Sequence, residues 1–263
     1  MSEATNSTRG SGRSALVTGA ASGIGKAVAR LLAEEGSRVA LADLNETEAA
    51  QVADAISAGG RETMSLRLDV NSEDDWQSAM DEVLGRWGGL DLCVNSAGIS
   101  FANPIADLDL DDWNRVMRTN LGGVFLGTKH AIRAMRSGGG GCIVNIASAA
   151  GIKPLAGNAA YGTSKAAIRF FTRIAALEGA PHQIRVNSIS PGAVATPMWE
   201  PTGMWPNRVA EEQGQEAALR TLVADKGFAE AEEIAAAVLF LASEAARHIT
   251  GTDLVVDDGY AIS

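Results

Sequence analysis

The chain holds two tyrosines, and one of them, Tyr161, stands four residues ahead of Lys165 in the stretch YGTSK. On a helix, positions i and i+4 share a face, which would set the phenol beside the ammonium. Such a pair is either ordinary surface decoration or a phenol whose proton has been made easy to move, and the pair alone leaves both open. A second set of residues suits nucleotide chemistry. Gly19, Gly23 and Gly25 fall in TGAASGIG, between a β-branched run and a helical pattern. Glycine in such a turn lets the backbone approach a pyrophosphate, and the helix N-terminus presents amides and a positive dipole end. Glycine-rich turns also serve purely structural ends, but here strand, turn and helix come in the order a dinucleotide site requires. Asp43 ends the next strand, near the spacing of about 20 residues at which an acid meets the adenosine ribose. Its carboxylate can accept from both ribose hydroxyls and would repel a 2′-phosphate; alternatively it caps the turn before the next helix. Ser22 and Leu44, where a phosphate-binding cation would stand, are uncharged. NAD is therefore favoured over NADP. Arg38 sits at the far end of its strand, out of reach.

The elements that must position these residues follow from hydrophobic period. Strands are predicted at 14–19, 38–43, 63–70, 90–95, 141–148, 184–190 and 253–259. Helices are predicted at 23–36, at 46–60 with a glycine stop, from Ser72 with acidic residues in its first turn, and over roughly 111–136. Two more run from Tyr161 to about Gly179 and near 230–243. Regular βα alternation with near-continuous apolar strands predicts one α/β domain over 13–263, a doubly wound, Rossmann-like parallel sheet with helices on both faces. Residues 1–12 read as a flexible tail without the apolar core of a signal peptide.

Bulk properties narrow the function classes. With 263 residues, 46% hydrophobic and 21% charged, the chain has a globular composition. A formal net charge of −10 argues against nucleic acid or an anionic membrane as the main partner. No apolar run is long enough to span a bilayer, so the default expectation is a cytoplasmic protein. Cys93 and Cys142 lie in the apolar runs LDLCVN and GCIVNI. They read as buried free thiols rather than a disulfide or a metal pair, and no metal is expected.

Several motifs then converge. TGAASGIG, NSAG (95–98), TNLGG (119–123), NIAS (145–148), YGTSK and SPGAVATP (190–197) occur in the order seen in short-chain dehydrogenases/reductases. The chain resembles the compact NAD(P)-dependent type of that family from about residue 13 onward. The resemblance implies that Tyr161 exchanges a proton with the substrate oxygen, that Ser148 hydrogen-bonds the same oxygen, and that Lys165 binds the nicotinamide ribose. A free phenol has a pKa of about 10, and Lys165 with an oxidised nicotinamide should lower it. Asn120 matches the asparagine that holds a water in a proton relay from Lys165, although a helix asparagine can also simply bond a neighbouring carbonyl. The dinucleotide would lie on Gly19, Ser22, Gly23, Ile24 and Gly25, with Asp43 and Leu44 at the ribose and Asp69 and Val70 at the adenine. Ala97, Gly98, Tyr161 and Lys165 would line the nicotinamide side, and Pro191, Gly192, Val194 and Thr196 the carboxamide. Asn95 is expected to tie adjacent strands together. Ser96 departs from the family, which usually has a second asparagine there. A homotetramer or homodimer is implied as well.

The substrate is less legible. Residues 99–109, 149–159 and about 195–228 should line its mouth, the last as a lid carrying Met198, Trp199, Met204 and Trp205. Lys153 and Arg208 are among the few cations of these loops, which weighs against a phosphorylated or CoA-linked substrate. The expectation is an NAD(H)-dependent oxidoreductase acting on a hydrophobic secondary alcohol or ketone, cyclic or steroid-like. The alternatives are a non-catalytic NAD-binding regulatory protein on the same fold and a reductase of another carbonyl class such as 3-oxoacyl thioesters.

Overall fold

Short apolar runs bounded by glycine turns form seven strands in the computed structural model, which describes residues 12–198 and 228–262. The strands are β1 (Ser14–Thr18), β2 (Arg38–Asp43), β3 (Thr63–Arg67), β4 (Leu92–Asn95), β5 (Gly141–Ile146), β6 (Ile184–Pro191) and β7 (Asp253–Val256). They pair in the order β3-β2-β1-β4-β5-β6-β7, every pair parallel. The order reverses between β1 and β4, so the connections leaving these strands part and open a crevice at the carboxyl edge. The helices are α1 (Gly23–Glu34), α2 (Glu46–Ser57), α3 (Glu73–Trp87), α4 (Leu110–Met117), α5 (Gly123–Gly138), α6 (Ala159–Gly179) and α7 (Ala231–Ala242).

Alternate strand residues enter two different cores, because successive side chains point to opposite faces. Ala15 and Val17 of β1 pack with Val28 and Leu32 of α1 and with Ile234 and Val238 of α7. Leu16, between them, packs with Trp76 and Val83 of α3 and Met135 of α5. A strand buried on both sides needs a continuous apolar run, which is why these strands do not alternate with polar residues. The doubly wound α/β sheet anticipated from the sequence is the architecture found.

Helix α3 opens as expected: Ser72 Oγ accepts from the Asp75 amide at 3.1 Å, and three acids occupy the first turn. The expected helix over 111–136 is present, but it is not α-helical throughout. Between α4 and α5, Arg118–Gly122 forms a wide π turn that contains Asn120. A Cβ on Gly123 would lie 2.9 Å from Val70, and one on Gly127 would lie 2.7 Å from Trp76. These glycines let α5 press onto Val70, beyond the end of β3, and onto α3. Strand ends are shorter than anticipated. β3 stops at Arg67, and β7 stops at Val256 because the Asp257 carboxylate accepts from the Gly259 and Ala261 amides and turns the chain. Most of the expected tail and lid, including Trp199, Met204, Trp205 and Arg208, lies outside the described residues. No described helix is long and apolar enough to cross a membrane.

Candidate active site

A cleft of about 560 Å³ runs along the carboxyl edge of the sheet. It is lined by Gly19, Ser22, Gly23, Ile24 and Gly25, by Asp43 at the end of β2 and Leu44 beyond it, and by Asp69 and Val70 after β3. Ala97 and Gly98 follow from β4, then Ser148, Tyr161 and Lys165, then Pro191, Gly192, Val194 and Thr196. Asn95 and Asn120 are not among the lining residues; they are buried behind it, at 3% and 0% exposure.

The glycine turn has a shape that only glycine permits. Gly19 has φ +67, and a Cβ there would lie 2.9 Å from Ala97 Cα. A Cβ on Gly25 would lie 2.7 Å from the Gly19 carbonyl carbon, and closer still to its oxygen. The turn therefore folds directly onto the start of α1. Ser22, the N-cap, makes no side-chain capping bond, and no acid stands in the first turn of α1. That helix end keeps its amides and positive dipole end for an external anion, so these residues fit a dinucleotide pyrophosphate.

Asp43 is pinned by its own neighbours. One carboxylate oxygen accepts from the Ala21 amide at 3.0 Å and the other from the Asn45 amide at 2.9 Å. The turn-capping role is thus real, while a carboxylate accepting one bond per oxygen keeps lone pairs for a further donor in the cleft. Arg38 points away, as expected: it donates to Gly12 O at 3.0 Å and lies over Trp87 at the opposite edge of the sheet.

The phenol, the hydroxyl and the ammonium meet at one place. Ser148 lies two residues beyond β5 in extended backbone (φ −171, ψ 152), and its Oγ accepts from the Ala150 amide at 3.1 Å. Ser148 and Tyr161 line the same cleft, and the Ser148 side chain is close enough to pull the phenol's pKa down. One turn along α6, Lys165 is 3% exposed, donates to Ile146 O at 2.8 Å, and holds its Nζ 5.5 Å from the Tyr161 ring centre. Burial pushes the Tyr161 phenol above its usual pKa, with the Ser148 side chain pulling the other way, and burial pushes Lys165 down to about 8. The lowering expected from Lys165 together with an oxidised nicotinamide concerns the loaded site; in the protein alone the phenol is raised. Both groups share a desolvated pocket, and desolvation penalises each charged form.

Asn120 is spoken for on three sides. Its Oδ1 accepts from the Ile99 amide at 2.8 Å, and its Nδ2 donates to Ile99 O and to Ser164 Oγ, each at 3.0 Å. A Cβ on Gly98 would lie 3.2 Å from Asn120 Oδ1 and 3.6 Å from Lys165 Nζ, so both polar groups flank that glycine. Asn95 does tie strands together: its Nδ2 donates to Asn145 Oδ1 at 2.8 Å, directly across the β4–β5 ladder. The two cysteines are buried free thiols, pushed up to about 12 and about 11 by desolvation.

Sequence reasoning passed over several residues that shape the site. Thr18 Oγ1 accepts from the Ser96 and Ala97 amides at 3.1 and 3.2 Å, fixing the turn after β4. Ser164 links Asn120 to Tyr161 O, to which it donates at 2.7 Å; its place three residues after Tyr161 was the available signal. Arg115 lines the cleft and pairs with Asp112 at 2.5 Å. It stands in α4, outside the loops expected to carry cations.

A family model described as enoyl-(acyl carrier protein) reductase matches residues 19–261. The cyclopentanol dehydrogenase of Comamonas sp. (strain NCIMB 9872) is 40% identical over 245 residues, covering 93% of this chain and 95% of that protein. The cis-4-hydroxycyclohexanecarboxylate dehydrogenase of Sinomonas cyclohexanicum is 41% identical over 253 residues, covering 94% and 96%. The crystal structure of a short-chain type dehydrogenase/reductase from Mycobacterium marinum matches with a TM-score of 0.88 and 38% identity, over 97% of this chain and 98% of that one. The chain belongs to the short-chain dehydrogenase/reductase family. It is an oxidoreductase of that family, whose members use NAD or NADP.

Proposed function

We propose that the protein is an NAD(H)-dependent dehydrogenase interconverting a hydrophobic cyclic secondary alcohol and its ketone, with Tyr161 carrying the substrate proton. The observation that carries this reading is the gathering of Ser148, Tyr161 and buried Lys165 in the same cleft as the glycine turn, with the Lys165 ammonium 5.5 Å from the Tyr161 ring centre. Similarity to dehydrogenases of cyclopentanol and of a hydroxycyclohexanecarboxylate supports the cyclic alcohol. Asp43, with uncharged Ser22 and Leu44 beside the same cleft, supports NAD.

In this reading the Gly19–Gly25 turn holds the pyrophosphate, Asp43 the adenosine ribose, and Asp69 and Val70 the adenine. Gly98 and Lys165 meet the nicotinamide ribose, and the Pro191–Thr196 stretch meets the carboxamide. Bound there, the nicotinamide supplies the hydride acceptor for an alcohol and the donor for a ketone. The remaining work falls to the chain. Tyr161 Oη takes the hydroxyl proton during oxidation and returns it during reduction. Ser148 Oγ donates to the substrate oxygen and steadies its developing negative charge. The Lys165 charge opposes the burial that holds the phenol protonated. Asn120, which approaches Gly98 on the same side as Lys165, holds a water that carries the proton onward. Exposed Phe125, Phe170, Ile174 and Leu177 on the outer faces of α5 and α6 support pairing of copies through these helices, in a homotetramer or homodimer.

The test is turnover of cyclopentanol and cyclohexanol with NAD⁺ and with NADP⁺, followed by nicotinamide absorbance. Tyr161→Phe should abolish turnover and leave NADH binding nearly intact. Turnover retained in that variant overturns the proton-transfer role.

A further inference from the structure

One partly buried ion pair lies outside the cleft and is connected to it. Arg169, on α6 one turn beyond Lys165, donates from Nε to Asp253 Oδ2 at 2.7 Å and from Nη1 to Gly151 O at 3.0 Å. The two side chains are 25% and 6% exposed. Gly151 in turn donates its amide to Ser148 O at 2.9 Å. The same glycine presses on α6: a Cβ there would lie 2.7 Å from the Lys165 carbonyl carbon and 2.6 Å from the Ala166 amide nitrogen. A continuous set of bonds therefore runs from Asp253 through Arg169 and the Gly151 peptide to Ser148. Its contact with α6 falls at Lys165. Asp253 also receives Ser188 Oγ at 2.6 Å, and Ser190 Oγ lies 2.9 and 3.0 Å from its two oxygens. That anchors the strand leading into Pro191 and Gly192.

We propose that Arg169, anchored by Asp253, is a positioning residue that holds the Gly151 turn against α6 and so sets Ser148 Oγ within hydrogen-bond reach of Tyr161. A lone surface arginine would not do this. The fork of the guanidinium spans a carboxylate on β7 and a carbonyl three residues after Ser148, which a point charge on a flexible stem cannot do with both bonds kept. The inference rests on the proposed roles of Ser148 and Tyr161. It extends the machinery to a residue that touches neither substrate nor cofactor.

Arg169→Lys is the decisive variant, since it retains the charge beside Asp253 and loses the second donor arm. With cyclopentanol and NAD⁺, kcat should fall about tenfold or more, as expected when a hydrogen-bonding group drifts from its productive place. KM for NAD⁺ should stay within about twofold. Because the Ser148 side chain lowers the phenol, loosening it should move the acid limb of the kcat profile up by about half a pH unit or more. A merely structural role would not move that limb. Arg169→Met should show the same shift with a larger loss of kcat. Arg173→Met, an exposed change on the same helix, should leave kcat and the profile unchanged. Wild-type kcat and profile in Arg169→Lys overturn the inference. So does an Arg169→Lys chain that fails to fold, since the pair would then serve folding alone. If Tyr161→Phe still turns over, the failure belongs to the catalytic reading beneath it and not to Arg169.

Discussion

Replacing Lys165 by methionine should stabilise the fold of the cofactor-free protein at neutral pH while removing its activity. Lys165 is 3% exposed, and burial lowers its pKa from 10.5 to about 8. At about 1.36 kcal/mol per unit, keeping that ammonium charged at pH 7 costs the fold about 3 kcal/mol. Methionine matches the unbranched stem and carries no charge, but it leaves Ile146 O without the donor it now has at 2.8 Å. That loss costs about 1–2 kcal/mol. The net gain is about 1–2 kcal/mol, or about 2–4 °C in Tm for each kcal/mol in a chain of this size. The sign of the pH dependence follows. Between pH 8 and 10.5 the unfolded chain keeps a proton on Lys165 that the folded chain has released, so raising the pH there favours the wild-type fold. The advantage of the variant is therefore full below pH 8, shrinks through that window, and reverses near pH 10.5, where only the lost hydrogen bond remains. Thermal unfolding of both proteins at one concentration, at pH 7, 9 and 10.5, measures this. A variant less stable at pH 7, or a gap that stays constant across the window, refutes the reasoning.

Two further outcomes can be checked alongside. Asp43→Ala should weaken NAD⁺ binding about tenfold and erode the preference over NADP⁺, because the ribose loses a charged acceptor worth about 1.5 kcal/mol. Paired KM measurements with both cofactors read this, and unchanged selectivity counts against the ribose role. Gly25→Ala drives a methyl to 2.7 Å from the Gly19 carbonyl carbon, which should cost about 1–3 kcal/mol of stability and most of the NADH affinity. NADH fluorescence titration and Tm report the two effects, and full affinity in this variant would show that the turn does not contact the pyrophosphate.

Much of this protein was already legible in its residue order. Apolar strands alternating with helical periods are local, repeated signals, and they specify a parallel sheet because strands covered on both faces must be apolar throughout. The glycine turn and Asp43 are local too, since each depends on one strand end and the turn beside it. What pairs Tyr161 with Lys165 is a helical spacing, readable without a fold. Bringing Ser148 to Tyr161 is another matter, because β5 and α6 are joined through the Gly151 turn, and only its packing on α6 sets their separation. The need for Gly123 and Gly127 was hidden because it shows only when α5 meets Val70 and Trp76, residues far away in the chain. The same is true of Arg169, whose partner Asp253 lies on β7 and is brought near only by the full sheet order. Protonation shows the divide most clearly. Residue types alone suggest that an ammonium lowers a neighbouring phenol, whereas the tertiary structure buries Lys165 and half-buries Tyr161, and desolvation then pushes the phenol up and the ammonium down. Sequence determines which groups stand together along one element; burial, and the meeting of elements remote in the chain, decide how those groups behave.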